Sequence, residues 1–127
     1  MPIYDLKVMP FDLAVCRLGP DEKTPGWLWR APFVSLTRTG DELSVVCPQD
    51  RVPPGVEQVG GWRGLKVCGP LDFSQVGVLA SLAQPLAEAG ISIFTISTYE
   101  TDYILVREND LESAVSALRK AGHRVEN

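Results

Sequence analysis

Residues Gly90–Val106 read GISIFTISTYETDYILV, two apolar runs around a polar insert, Ser97 to Asp102, that carries a tyrosine and two carboxylates. The runs Ile91–Ser97 and Tyr103–Val106 are rich in β-branched and aromatic residues and predict two strands joined as a hairpin. The insert admits two readings. Asp and Thr are favoured in turns for local hydrogen bonding, so STYETD can be a solvated hairpin end. It also gathers the Thr98 and Thr101 hydroxyls, the Glu100 and Asp102 charges and the flat face of Tyr99, a set able to face a ligand.

The flanking segments repeat a readable order. Leu65–Cys68, LKVC, is a short strand, and GPLDFSQ after it is a loop punctuated by Gly, Pro and Asp. Val76, Leu79, Ala83 and Leu86 recur at helical spacing, predicting an amphipathic helix over Ser74–Ala89 closed by Gly90. Pro85 lies inside it, lacks a backbone donor and opposes the carbonyl of Ser81, so a kink is expected there. Beyond the hairpin, Asn109 with Glu112 gives a capping-box signal, and Leu111, Ala114, Val115 and Leu118 form the stripe of a second helix. Arg119 and Lys120 suit its last turn and Gly122 its stop. His123–Asn127 can add a last strand. The order β-α-β-β-α-β is the split βαβ arrangement, with an antiparallel sheet and both helices on one face.

A unit of roughly 65 residues buries little apolar area alone. The first half supplies a neighbour in the form of a worn copy. Ser35–Asp50, SLTRTGDELSVVCPQD, lies against Thr95–Asp110, TISTYETDYILVREND, without a gap at an offset of 60, and LAVC at Leu13 matches LKVC at Leu65 at 52. The deficit falls between Trp27 and Phe33, where the first copy has room for one helical turn. PGWLWRAP is expected to plug that gap with Trp27 and Trp29, although the Trp pair also reads as a stacking platform for a ligand. Pro53–Gly61 reads as a linker. The fold class is therefore α+β, two ferredoxin-like (βαββαβ) units in tandem over residues 1–60 and 61–127, the first with a shortened first helix.

Composition narrows the function. A chain of 127 residues, 45% hydrophobic and 22% charged, is that of a globular protein with a formal charge of −4. Its twelve Lys and Arg are scattered, which gives no footprint for nucleic acid. No apolar run approaches the roughly 18 to 20 residues of a membrane span, and Met1–Pro10 has no signal-type core, so a cytoplasmic address with no membrane partner is expected. Cys16, Cys47 and Cys68 each adjoin an apolar run and read as buried reduced thiols. A single histidine, His123, gives a metal site or a triad nothing to build on, so no metal, cofactor or catalysis is expected. Asp72, Glu100 and Asp102 have no feature that pairs them for acid–base chemistry.

The loop before the first helix holds the other candidate group. Unpaired N–H groups and the dipole make a helix start an anion site, so the amides of Ser74 to Gly77 could receive a carboxylate, with Gly77 permitting close approach. An ordinary helix capped by Asp72 or Ser74 is the alternative. Loop and tip together would offer an amino-acid zwitterion donors for its carboxylate and acceptors for its ammonium.

GISIFTISTYETDYILV, with QPLAEAGIS before it and DELSVVCP in the first half, resembles the ACT domain family, and more narrowly its small stand-alone members with two ACT units per chain, relatives of the CASTOR-type arginine sensors. The resemblance implies a regulatory module that binds a free amino acid at an interface between units. Its site would use Asp72, Ser74, Gln75, Val76 and Gly77 from the loop with Thr98, Tyr99 and Asp102 from the tip. It implies a homodimer, which restores the number of units found in the sensors. The Asp-x-Pro-Gly loop of many metabolic-enzyme ACT domains is absent, and Gln75 stands where the arginine sensors carry an acidic residue. The other reading is an interaction or dimerisation module with a vestigial pocket and no ligand.

Overall fold

The computed structural model describes residues 2–72 and 74–127. In chain order the strands and helices are β1 (Asp5–Leu18), β2 (Ser35–Arg38), β3 (Leu43–Pro48), β4 (Glu57–Val67), α1 (Val78–Glu88), β5 (Ile93–Ser97), β6 (Asp102–Arg107), α2 (Leu111–Lys120) and β7 (Arg124–Glu126), with 3-10 turns at Gly26–Leu28, Gln49–Arg51 and Glu108–Asp110. The fold is α+β. Two compact units divide the chain, Met1–Pro10 with Arg63–Asn127, and Phe11–Trp62, so β1 and β4 each contribute to both. Against the expected 1–60 and 61–127, the segment Met1–Pro10 goes with the C-terminal unit and Gly61 and Trp62 with the other.

In the unit that holds both helices the strands run β7-β1-β4-β6-β5. The β5–β6 hairpin forms as expected, antiparallel, with Ile93 opposite Val106 and Ser97 opposite Asp102. β7 pairs in parallel with the start of β1, Leu6 opposite Val125. A plain βαββαβ sheet would seat β7 against β4; here the N-terminal segment lies between them. Its residues explain why, since Tyr4, Leu6 and Val8 are buried while Asp5 and Lys7 are exposed, the period-two pattern of a half-buried strand. One core collects Leu6, Val8, Leu65, Val67, Ile104 and Val106 from the strands, Val78, Leu82 and Leu86 from α1, and Ala114, Val115 and Leu118 from α2. Both helices thus cover the same face.

α1 starts four residues later than the expected Ser74, and the capping box at Asn109 is not made, because the 3-10 turn Glu108–Asp110 leads directly into α2 without a side-chain cap. Both helices end where their glycines predict. Ile91 N–H donates to Leu86 C=O beyond Gly90, and His123 N–H to Leu118 C=O beyond Gly122.

In the other unit the order is β2-β3-β1-β4. β1 pairs antiparallel with β3, and β3 with β2. Short 3-10 turns, Gly26–Leu28 after β1 and Gln49–Arg51 after β3, stand where the helix-bearing unit has α1 and α2, whereas only the first helix was expected to be shortened. The hairpin ends match in detail. Thr39 N–H donates to Glu42 C=O at 2.9 Å and Thr98 N–H to Thr101 C=O at 2.8 Å, and in each turn the threonine hydroxyl oxygen accepts from the later residue's N–H. Thr39 and Thr98 stand 59 apart, which corrects the expected offset of 60. The one-residue difference matters: at 59 the inward Val45 and Cys47 align with the inward Ile104 and Val106, whereas a slip by one turns every side chain to the other face.

The core of this unit is Ala14, Cys16, Leu28, Leu43, Val45 and Cys47, with Trp27, Val52 and Val56 packed against it. Leu28 and Trp27 act as the plug; Trp29 does not, being 75% exposed beneath the Arg30 guanidinium. Pro53–Gly61 is not a linker throughout, because β4 begins at Glu57. Cys16 and Cys47 are buried and share a hydrogen bond that, with burial, pushes the Cys47 thiol far up. Cys68 is exposed, against expectation, because it lies one residue past β4. No helix among the described residues is long and apolar enough to cross a membrane.

Candidate functional site

A cleft of about 420 Å³ opens between the loop before α1 and the tip of the β5–β6 hairpin. Two bonds hold these segments side by side. Leu71 N–H donates to Glu100 C=O at 2.7 Å, and the buried Thr101 hydroxyl donates to Val67 C=O. The crossing is tight at Gly69, where a Cβ would sit 2.9 Å from the Leu71 nitrogen and 3.1 Å from the Glu100 oxygen. Only glycine lets the two backbones approach so closely.

The loop is ordered by its own side chains. Asp72 accepts from Ser74 N–H at 2.8 Å and from the Ser74 hydroxyl at 2.9 Å, while Asp72 N–H donates to Gln75 Oε1 and Gln75 N–H returns to Asp72 C=O. Ser74 N–H, and then its hydroxyl, hold the Asp72 carboxyl below the usual carboxylate range. Because the folded value is depressed, the contribution is complete above the unfolded value and is lost as pH falls through the lowered one. Acidification is therefore expected to release the Ser74 amide only below the ordinary aspartate range. Following the Ser74 amide and Asp72 carboxyl signals against pH checks this, and a midpoint at or above the ordinary value contradicts it.

The helix start differs from a capped one. Gly77 occupies the N-cap position at φ +80°, a left-handed conformation that favours glycine, and no side chain caps the helix. The cap-forming residues Asp72 and Ser74 are spent on each other. Ser81 N–H makes the first intrahelical bond, to Gly77 C=O. The amides of Val78, Leu79 and Ala80 precede it at the positive end of the helix dipole, and these residues line the cleft.

The opposite wall is acidic. Glu100 and Asp102 line it with Thr98 and Tyr99, Asp72 adds a third carboxylate from the loop, and no Lys, Arg or His lines the cleft among the described residues. Asp102 accepts from the Ser97 hydroxyl at 2.6 Å, across the last pair of the hairpin. Of the residues expected from sequence, the cleft brings together Asp72, Gln75, Gly77, Thr98, Tyr99 and Asp102. Ser74 and Val76 lie outside its lining, Ser74 turned back to Asp72 and Val76 90% exposed. Sequence reading missed Ser97 and the amides of Val78–Ala80. Ser97 was traceable as the partner of Asp102 across a four-residue turn; the helix start was not, because cap-type residues stood upstream of it. No cluster of three or more His, Cys, Asp or Glu able to hold a metal occurs among the described residues.

A family model described as ACT domain matches residues 57–120, and one described as an N-terminal domain matches residues 12–55. The human cytosolic arginine sensor for mTORC1 subunit 1 is 40% identical over 60 residues, 46% of this chain and 18% of that protein; the chain thus spans less than a fifth of the relative's length. The human putative protein CASTOR3P is 34% identical over 95 residues, 65% of this chain and 58% of that one. Among solved structures, protein Atu0741 of Agrobacterium tumefaciens is 42% identical, with a TM-score of 0.92 and coverage of 98% of this chain and 93% of that chain. The regulatory subunit of aspartate kinase from Thermus thermophilus shares the fold at 16% identity, with a TM-score of 0.64 over 92% and 96% of the two chains. The chain belongs to the ACT domain family and is related to the CASTOR-type arginine sensors.

Proposed function

We propose that this protein is a non-catalytic regulatory module that binds a free amino acid in the cleft between the start of α1 and the β5–β6 tip. One observation carries the reading: an uncapped helix start and two carboxylates, Glu100 and Asp102, line a single cleft. The ligand's carboxylate takes the amides of Val78–Ala80, its ammonium the acids of the tip, and Gln75, Thr98 and Tyr99 meet its side chain. Charge-assisted hydrogen bonds contribute about 1.5 to 3 kcal/mol each, so three reach the roughly 4 kcal/mol of a millimolar site even at the lower figure. The volume is of the order of common small-ligand pockets, about 300 to 1,000 Å³. The names of the relatives, a cytosolic arginine sensor and a regulatory subunit of aspartate kinase, support a regulatory role of this kind.

The two units are tandem ACT-type repeats, supported by the matching Thr39 and Thr98 turns. A homodimer is the assembly we favour, because Val76 and Tyr99 at the loop and tip are 90% and 81% exposed and apolar. The same exposure favours a second reading, an interaction module without a ligand. Thermal unfolding against the twenty amino acids separates the two. Saturation at a hundred times Kd is expected to stabilise the protein by about 2.7 kcal/mol. A flat panel overturns the ligand reading and leaves the interaction module.

A further inference from the structure

His123, the one histidine, is buried and makes two backbone contacts far apart in sequence. Its Nδ1 lies 3.2 Å from Tyr4 N, and its Nε2 lies 3.3 Å from Ser81 O. A backbone N–H can only donate, so Nδ1 is the acceptor. The proton of the neutral ring is then on Nε2, which donates to the Ser81 carbonyl. That carbonyl is the one Pro85 leaves unpaired: in a regular helix the N–H four residues on would fill it, and proline has none.

We infer that His123 is a positioning residue for the cleft: it replaces the hydrogen bond that Pro85 removes and thereby fixes the first turn of α1, whose amides face the ligand. The inference rests on the ligand reading given above. Ser81 is the link. Its N–H and its hydroxyl both donate to Gly77 C=O, at 2.9 and 2.8 Å, while its own carbonyl is held by His123. The turn from Gly77 to Ser81 is clamped at both ends, and the amides of Val78–Ala80 lie between the clamps. A proline in mid-helix otherwise permits bending at that point. His123 is itself fixed by its N–H to Leu118 C=O and by stacking on Tyr4 at 5.9 Å between ring centroids.

The two ring nitrogens can be tested apart. His123→Asn keeps an acceptor near the Nδ1 position for Tyr4 and removes the donor to Ser81; His123→Gln keeps an amide donor at the reach of Nε2. His123→Asn is expected to speed hydrogen exchange at the Ser81 and Leu82 amides about tenfold relative to Ile104, and to weaken binding of the amino acid found in the thermal panel by a similar factor. His123→Gln should leave the exchange ratio near that of the unsubstituted protein. Adding Pro85→Ala to His123→Asn returns a backbone N–H opposite the Ser81 carbonyl and is expected to restore both exchange and affinity. If the pair of substitutions restores neither, or if Ser81 exchange merely follows Ile104, the inference is overturned. If no amino acid binds the unsubstituted protein, the ligand reading fails, and the exchange ratio alone then decides whether His123 fixes the turn.

Discussion

Asp102→Ala is expected to weaken amino-acid binding between ten and a hundredfold and to leave folding stability within about 1 kcal/mol of the unsubstituted protein. The binding effect follows from the loss of a charge-assisted hydrogen bond, about 1.5 to 3 kcal/mol, on the wall opposite the helix start. Folding loses little because the contact surrendered is with the exposed Ser97 hydroxyl, which water can satisfy. Asp102→Asn keeps the shape and the acceptor for Ser97 but not the charge, and is expected to lose nearly as much affinity. Calorimetric titration with urea unfolding checks both. Affinity unchanged in both variants would remove the tip from the site.

Leu82→Ala is expected to cost about 3 kcal/mol, within the usual 2 to 5 for a leucine deleted from a packed core. Leu82 is fully buried at the centre of α1's inner face and shares its core with Leu65, Val67, Ile104, Ala114 and Leu118. Gln84→Ala on the exposed face of the same helix should change stability by under about 0.5 kcal/mol. A urea-measured loss below about 1 kcal/mol for Leu82→Ala would contradict this packing of α1.

A sustained period made part of the fold legible in the sequence. α2 carries such a stripe in Leu111, Ala114, Val115 and Leu118; the hairpin at Gly90–Val106 was legible from its β-branched and aromatic runs instead, and for α1 the helix was legible but its face was not, since Val76 lies before it and Val78, Ser81, Leu82 and Leu86 are its buried residues. Pro85 announced a broken ladder at Ser81, and the structure shows the break filled by His123. The likeness of the two halves was read at an offset of 60 from residue types, whereas the hydrogen bonds of the Thr39 and Thr98 turns align them at 59. The first part of β1 escaped because the inward set of Tyr4, Leu6 and Val8 is too short to stand out beside Met9 and Pro10. Only the end of β4 was read, at Leu65–Cys68; its start from Glu57 escaped because prolines and glycines before Trp62 read as a linker.

Of the candidate cleft, the loop and tip that line it were legible and the position of the helix start was not. Asp72 and Ser74 have the chemistry of a helix cap, but they close an Asx turn on themselves, and the helix begins only after the left-handed Gly77. Cap-type residues mark a turn or a helix start equally well, and only the backbone conformation tells which.

The most direct test is amide chemical-shift mapping of the protein during titration with the amino acid that stabilises it most. Binding in the cleft predicts the largest shifts at Gly77–Ala80 and Thr98–Asp102, saturating together with one affinity. Shifts centred elsewhere, such as on the exposed Trp29 surface, with those two segments unmoved, would contradict it.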